Sequence, residues 1–163
     1  MTYDEESRRL AGLKQNLGLR SQILQATRAF FVRQGFIEIE TPVRVSTIAP
    51  EQFIVPISTE SWFLSTSPEL HMKRLLAAGY DKLFQICKCF RKGEIGKNHN
   101  PEFTMIEWYR VRSGYHDVIQ DTCNLVTSIA ELQVFYYALL ENAPARPNHN
   151  SSVVRTDCRD VRR

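Results

Sequence analysis

Two stretches with strand character, Leu83–Phe90 and Glu102–Val111, stand either side of a loop, Arg91–Pro101, that carries two glycines and several basic side chains. This pair constrains the fold more than any other feature of the chain. Consecutive strands joined by a loop pair as a hairpin, and one face of the pair needs a core to cover it. Within Glu102–Arg110 the side chains alternate, with Phe103, Met105, Glu107 and Tyr109 on one face and Glu102, Thr104, Ile106 and Trp108 on the other. The first face combines an aromatic plate, a carboxylate and a phenol. Such a face can stack a planar base at one end and hold an ammonium group at the other through a charge-assisted bond. The same alternation also serves a plain strand with an acid at the rim of its buried face. In the loop, Arg91 offers a planar fork suited to phosphate. Lys92 and Lys97 add point charges, Gly93 and Gly96 permit close backbone approach, and His99 and Asn100 supply further donors. A solvated hairpin loop is the plainer reading of the same residues.

The rest of the chain supplies helices and shorter strands. An amphipathic helix is expected over about Asp4–Leu17. A stronger one follows, capped by Ser21, with Ile23, Leu24, Thr27, Phe30 and Phe31 at helical spacing and Gly35 as its stop. Phe36–Glu40 alternates apolar and acidic residues, as a half-buried strand does, and Thr41-Pro42 ends it. Short strands are expected at Phe53–Ile57 and Trp62–Leu64. Ser67 as N-cap and Pro68 at the first helical position open a helix that Gly79 closes. A last helix is expected from Asp117 to about Leu140. From 142 to 163 the chain has prolines, Asn, Ser and basic residues without apolar period, and reads as a disordered tail. Helices interspersed irregularly among hairpin-joined strands indicate an α+β fold on a mainly antiparallel sheet flanked by helices.

Composition narrows the setting. The 163 residues suffice for one domain or most of one, and 43% hydrophobic residues are enough for one core. A net charge of +3 without a basic stripe does not indicate a nucleic-acid binder. Cys87 and Cys89 form C-x-C, not the C-x-x-C pairs of zinc sites, so no metal site is expected and two small thiols on one strand face are. The charged N-terminus is not a signal peptide, and no membrane span is expected, which points to the cytoplasm.

The stretch FRKGEIGKNHNPEFTMIEWYR, within residues 84–110, resembles motif 2 of class II aminoacyl-tRNA synthetases of the lysine, aspartate and asparagine subgroup. RAFFVRQGFIEIETPV, within residues 20–43, resembles motif 1, and LSTSPELHMKRLLAAGYDKLFQICKCFR fits the segment between them. The wording TSPELHMKRLL and NPEFTMIEWYR is near the lysyl-tRNA-synthetase-like branch that lysylates elongation factor P. The resemblance implies an ATP-dependent, Mg2+-using ligase. It would form a lysyl- or β-lysyl-adenylate and transfer the acyl group to elongation factor P or, alternatively, to tRNA. It further implies that Arg91 contacts the α-phosphate and is catalytic. Lys92, Gly93, Glu94, His99, Asn100 and Phe103 would bind ATP, with Phe103 stacking on adenine. Ser67, Pro68, Glu69, Glu107 and Tyr109 would hold the amino acid, and Pro42 would lie in a homodimer interface.

The chain departs from the family pattern in places. The loop reads Arg-Lys-Gly-Glu where many members have Arg-Asn-Glu, which displaces the acid at Glu94. Residues 1–141 are expected to be the N-terminal part of a catalytic domain that lacks motif 3 and its metal-binding acids. The dissimilar tail points to a frameshift or early stop, and an anticodon-binding barrel is expected to be absent. A non-catalytic dimerisation or binding module is the alternative to a ligase.

Overall fold

The computed structural model describes residues 2–140. Contacts divide them into two compact units, one comprising the described residues up to Phe30 and from Ser113 onward, the other Phe31–Arg112.

The first unit is helical. Helix α1 (Tyr3–Gly12) opens with a capping box in which Thr2 and Glu5 satisfy each other's backbone N–H groups. Helix α2 (Lys14–Arg33) follows after Leu13. The expected break at Ser21 is absent. Ser21 lies inside α2, where its hydroxyl accepts a hydrogen bond from Gln25 Nε2 at 3.2 Å. The interior Gly18 costs a helix about 1 kcal/mol, too little to end one this long. Helix α4 (Tyr115–Leu140) starts two residues before the expected Asp117, whose carboxylate instead accepts from the Gly114 N–H at 2.8 Å. Thr27, Phe30, Asp121 and Leu125 are buried. The expected tail, 142–163, lies outside the described residues.

The second unit holds six strands and one helix. They are β1 (Ile37–Glu38), β2 (Arg44–Val45), β3 (Ser58–Thr59), β4 (Trp62–Leu64), α3 (Glu69–Ala77), β5 (Lys82–Phe90) and β6 (Glu102–Arg110). One sheet has the order β1-β5-β6, the other β2-β4-β3. β5 and β6 pair antiparallel over their whole lengths, from Lys82↔Arg110 to Phe90↔Glu102. β1 runs parallel to β5, while β2 and β3 pair antiparallel with β4. The expected strand over Phe36–Glu40 shrinks to β1, extended by the Ile39 N–H donating to the Phe84 carbonyl.

The expected strand Phe53–Ile57 does not form. Pro56 has no N–H for a ladder, and the Ile54 N–H turns back to the Glu51 carbonyl. Phe53 is left 87% exposed. The second sheet is closed instead by β3, just beyond that stretch.

The core of this unit is aromatic. Phe31 stacks on Phe84 with centroids 4.9 Å apart, meets Phe36 edge-on at 5.1 Å and touches Trp108 at 5.2 Å. Such pairs add about 0.5–1.5 kcal/mol each beyond area burial. Trp108 thus fixes which face of β6 turns inward to Phe31, and by alternation Phe103, Met105, Glu107 and Tyr109 take the other. Helix α3 packs against β5 and β6.

Candidate active site

Glu107 gathers two hydroxyl partners. The Ser67 hydroxyl donates to its Oε2 at 2.7 Å, and the Tyr109 hydroxyl donates to its Oε1 at 2.5 Å. Ser67 Oγ in turn accepts from the Glu69 backbone N–H at 3.1 Å. Ser67 was expected as the N-cap of α3. The cap position falls one residue later, on the buried Pro68, yet Ser67 still satisfies a first-turn N–H of that helix. Pro68 is fully buried, and its carbonyl accepts from the His71 and Met72 N–H groups. Glu69, half-buried, is paired with Lys73 one turn on. Burial raises the Tyr109 phenol well above its ordinary value, and its bond to Glu107 adds to the effect. Tyr109 therefore stays a donor at any physiological pH. A half-buried carboxylate fixed by two hydroxyl donors, with Glu69 nearby in the same segment as Ser67, is a ready acceptor for an ammonium group.

The loop after β5 shapes an open cleft of ≈ 610 Å³, lined by Arg91, Gly93, Glu94, Ile95, Asn98, His99, Asn100 and Phe103. Gly93 has a φ of 80°, a conformation that strains any residue with a Cβ. Gly96 and His99 bridge across the loop, their N–H groups each donating to the other's carbonyl. Arg91 is half-buried. Its Nε donates to the Thr66 carbonyl at 3.4 Å, its Nη1 lies 3.7 Å from Glu94 Oε1, and its guanidinium sits 5.1 Å over the Phe103 ring. An arginine held this way offers its remaining N–H groups to an anion in the cleft, and the Phe103 ring offers a face for a planar base.

Of the residues singled out in the sequence, Arg91, Gly93, Glu94, His99, Asn100 and Phe103 come together in the cleft. Ser67, Glu107 and Tyr109 come together at the other end of the same β6 face. Lys92 does not line the cleft. Its side chain is exposed and its N–H donates to the Val55 carbonyl at 2.8 Å. Pro42 is exposed between β1 and β2 and belongs to neither group. Sequence reasoning missed Ile95 and Asn98, loop residues that carry no periodic signal, and the Thr66 carbonyl, which no side-chain pattern reports.

The donor set does not make a magnesium cage. Glu94 is the carboxylate among the cleft's lining residues, and it faces Arg91. Among the described residues no three His, Cys, Asp or Glu side chains converge.

A family model described as tRNA synthetases class II (D, K and N) matches residues 6–139. The chain belongs to this family. An elongation factor P–(R)-β-lysine ligase of Haemophilus influenzae (strain PittGG) is 45% identical over 127 residues, covering 71% of this chain and 39% of the relative. The ligase of the same name from Histophilus somni (strain 2336) is 40% identical over 149 residues, covering 82% and 46%. That of Baumannia cicadellinicola is 43% identical over 118 residues, covering 65% and 36%. The chain thus spans less than half the length of these relatives.

Proposed function

We propose that the chain carries the ATP and amino-acid half-sites of a lysine-activating, class II synthetase-like ligase. The observation that carries this reading is the division of one β6 face. Phe103, under Arg91, opens on the cleft, while Glu107 is held by Ser67 and Tyr109. At a strand rise of about 3.4 Å per residue the two positions lie about 14 Å apart, a span that suits an aminoacyl-adenylate laid along the strand. In the proposed reaction a carboxylate oxygen of lysine or β-lysine attacks the α-phosphorus of ATP, and pyrophosphate leaves. Arg91 stabilises the charge that develops on the phosphoryl oxygens. Glu107, with Glu69, would hold an ammonium group of the amino acid so that its carboxylate faces Arg91. Gly93, Glu94, His99 and Asn100 would line the nucleotide, and magnesium would arrive with the triphosphate. The relatives' names support elongation factor P as the acceptor: an amine of that protein would attack the acyl carbon and AMP would leave.

The same reading takes the chain as part of a class II core with a mainly antiparallel sheet and flanking helices, working in the cytoplasm. No described helix is long and apolar enough to cross a membrane. It also takes the segment through Pro42 as a homodimer interface. Support comes from Val32, Ile37 and Val43, in and around β1, which are 58%, 52% and 41% exposed.

ATP–pyrophosphate exchange with lysine and with (R)-β-lysine tests the proposal, with Arg91→Ala as control. The expected result is amino-acid-dependent exchange that the control abolishes. Folded protein that binds both ligands without exchange would sink the catalytic part and leave a binding module; exchange that survives Arg91→Ala would remove Arg91 from its role.

A further inference from the structure

Cys87 and Cys89, the C-x-C pair that the site above does not use, lie on the same face of β5. Their sulfurs are 3.8 Å apart, and Cys89 Sγ is 3.9 Å from the thioether sulfur of Met105. Met105 is also the cross-strand partner of Cys87, so the three side chains share one face of the β5–β6 pair. The geometry points to a trigonal binding site for a soft monovalent cation, copper(I), made by Cys87, Cys89 and Met105.

The spacing argues for a metal rather than a disulfide. Residues two apart on a strand have Cα atoms about 6.6–6.8 Å apart, at the upper limit of about 6.8 Å that a disulfide spans. The two cysteines are accordingly free thiols. An ion about 2.3 Å from each sulfur, the usual metal–thiolate distance, keeps sulfurs about 3.8–4.0 Å apart at tetrahedral to trigonal angles. The Cys87–Cys89 and Cys89–Met105 separations of 3.8 and 3.9 Å both fall in that range.

The donor set argues for which metal. Two thiolates and a thioether are soft ligands, and such sets select copper(I). Zinc prefers four ligands of the nitrogen and sulfur kind, and among the described residues no group of three His, Cys, Asp or Glu supplies them. Binding releases the thiol protons to solvent as the metal–sulfur bonds form. Met105 stands between Phe103 and Glu107 in the strand, so a bound ion would lie midway along the face described above.

The test is anaerobic titration of the full chain with copper(I) against a chromogenic chelator such as bicinchoninate, with Cys123→Ser and Cys158→Ser in place to remove the other two cysteine sulfurs. One tightly held equivalent is expected, with X-ray absorption showing sulfur neighbours alone. Cys87→Ser with Cys89→Ser should abolish it. Met105→Leu, which conserves volume and so keeps the fold, should weaken it roughly tenfold, the scale at which contacts of metal sites are felt. The inference fails if no equivalent is held, if the double serine variant keeps it, if Met105→Leu leaves affinity unchanged, or if nitrogen or oxygen neighbours appear.

Discussion

At the Glu107 end of β6 the carboxylate is bonded to two hydroxyls at 2.7 and 2.5 Å, and one of those hydroxyls is bonded to the first turn of α3. At the Phe103 end, most cleft residues are exposed loop side chains, and Arg91 is held by a 3.4 Å contact to one carbonyl and a 3.7 Å approach to Glu94. The first region is assembled by regular elements packed on a buried core, including the fully buried Met72, Leu83 and Pro68. The second depends on a loop around Gly93. Groups that must discriminate one ammonium from another gain from a fixed frame, because misplacement by an ångström costs affinity steeply. A nucleotide pocket on a loop can tighten as the ligand enters.

The largest expected effect falls on the fixed region. Glu107→Gln removes the charge but keeps the shape, and should weaken lysine or β-lysine binding about a hundredfold, since charged hydrogen bonds contribute about 1.5–3 kcal/mol. Calorimetric titration measures this, and ATP affinity should not change. Arg91→Ala comes next. It should weaken ATP about tenfold or more by the same scale, while amino-acid binding holds.

A third test uses pH. The Tyr109 phenol holds its proton more tightly in the fold than in the unfolded chain. Its contribution to stability is therefore complete below about pH 10, the ordinary tyrosine value, and is lost as pH rises beyond it. Urea midpoints taken from pH 8 to 11 should fall at the alkaline end, and Tyr109→Phe should fall less steeply. An equal fall in both proteins would separate Tyr109 from the fixed network. The smallest effect belongs to Lys92→Ala. Its exposed side chain lies off the cleft lining, so ATP affinity should change by no more than about threefold, the scale of a surface charge.

The long hairpin was legible in the sequence because its signal is local. The strands Lys82–Phe90 and Glu102–Arg110 fall within a residue of the expected bounds, and the alternation assigned each side chain of β6 to a face. Most cleft residues were legible because they lie close together in the loop and at the start of β6, whereas Ile95 and Asn98 carried no such signal. The bond from Ser67 to Glu107 was not, since it joins residues forty positions apart and neither neighbourhood encodes it. Two-residue strands such as β2 and β3 are too short to show alternation. Ser21 misled because a good capping residue in mid-helix looks the same as one at a start. Phe53–Ile57 misled because its apolar content carried strand propensity while Pro56 removed the N–H that a ladder needs.

The most direct test of the account is to titrate the chain and its Glu107→Gln variant with ATP and with (R)-β-lysine. The account predicts that the variant loses β-lysine while keeping ATP, because the two ends of the β6 face bind separate ligands. Loss of both ligands, or of neither, would contradict it.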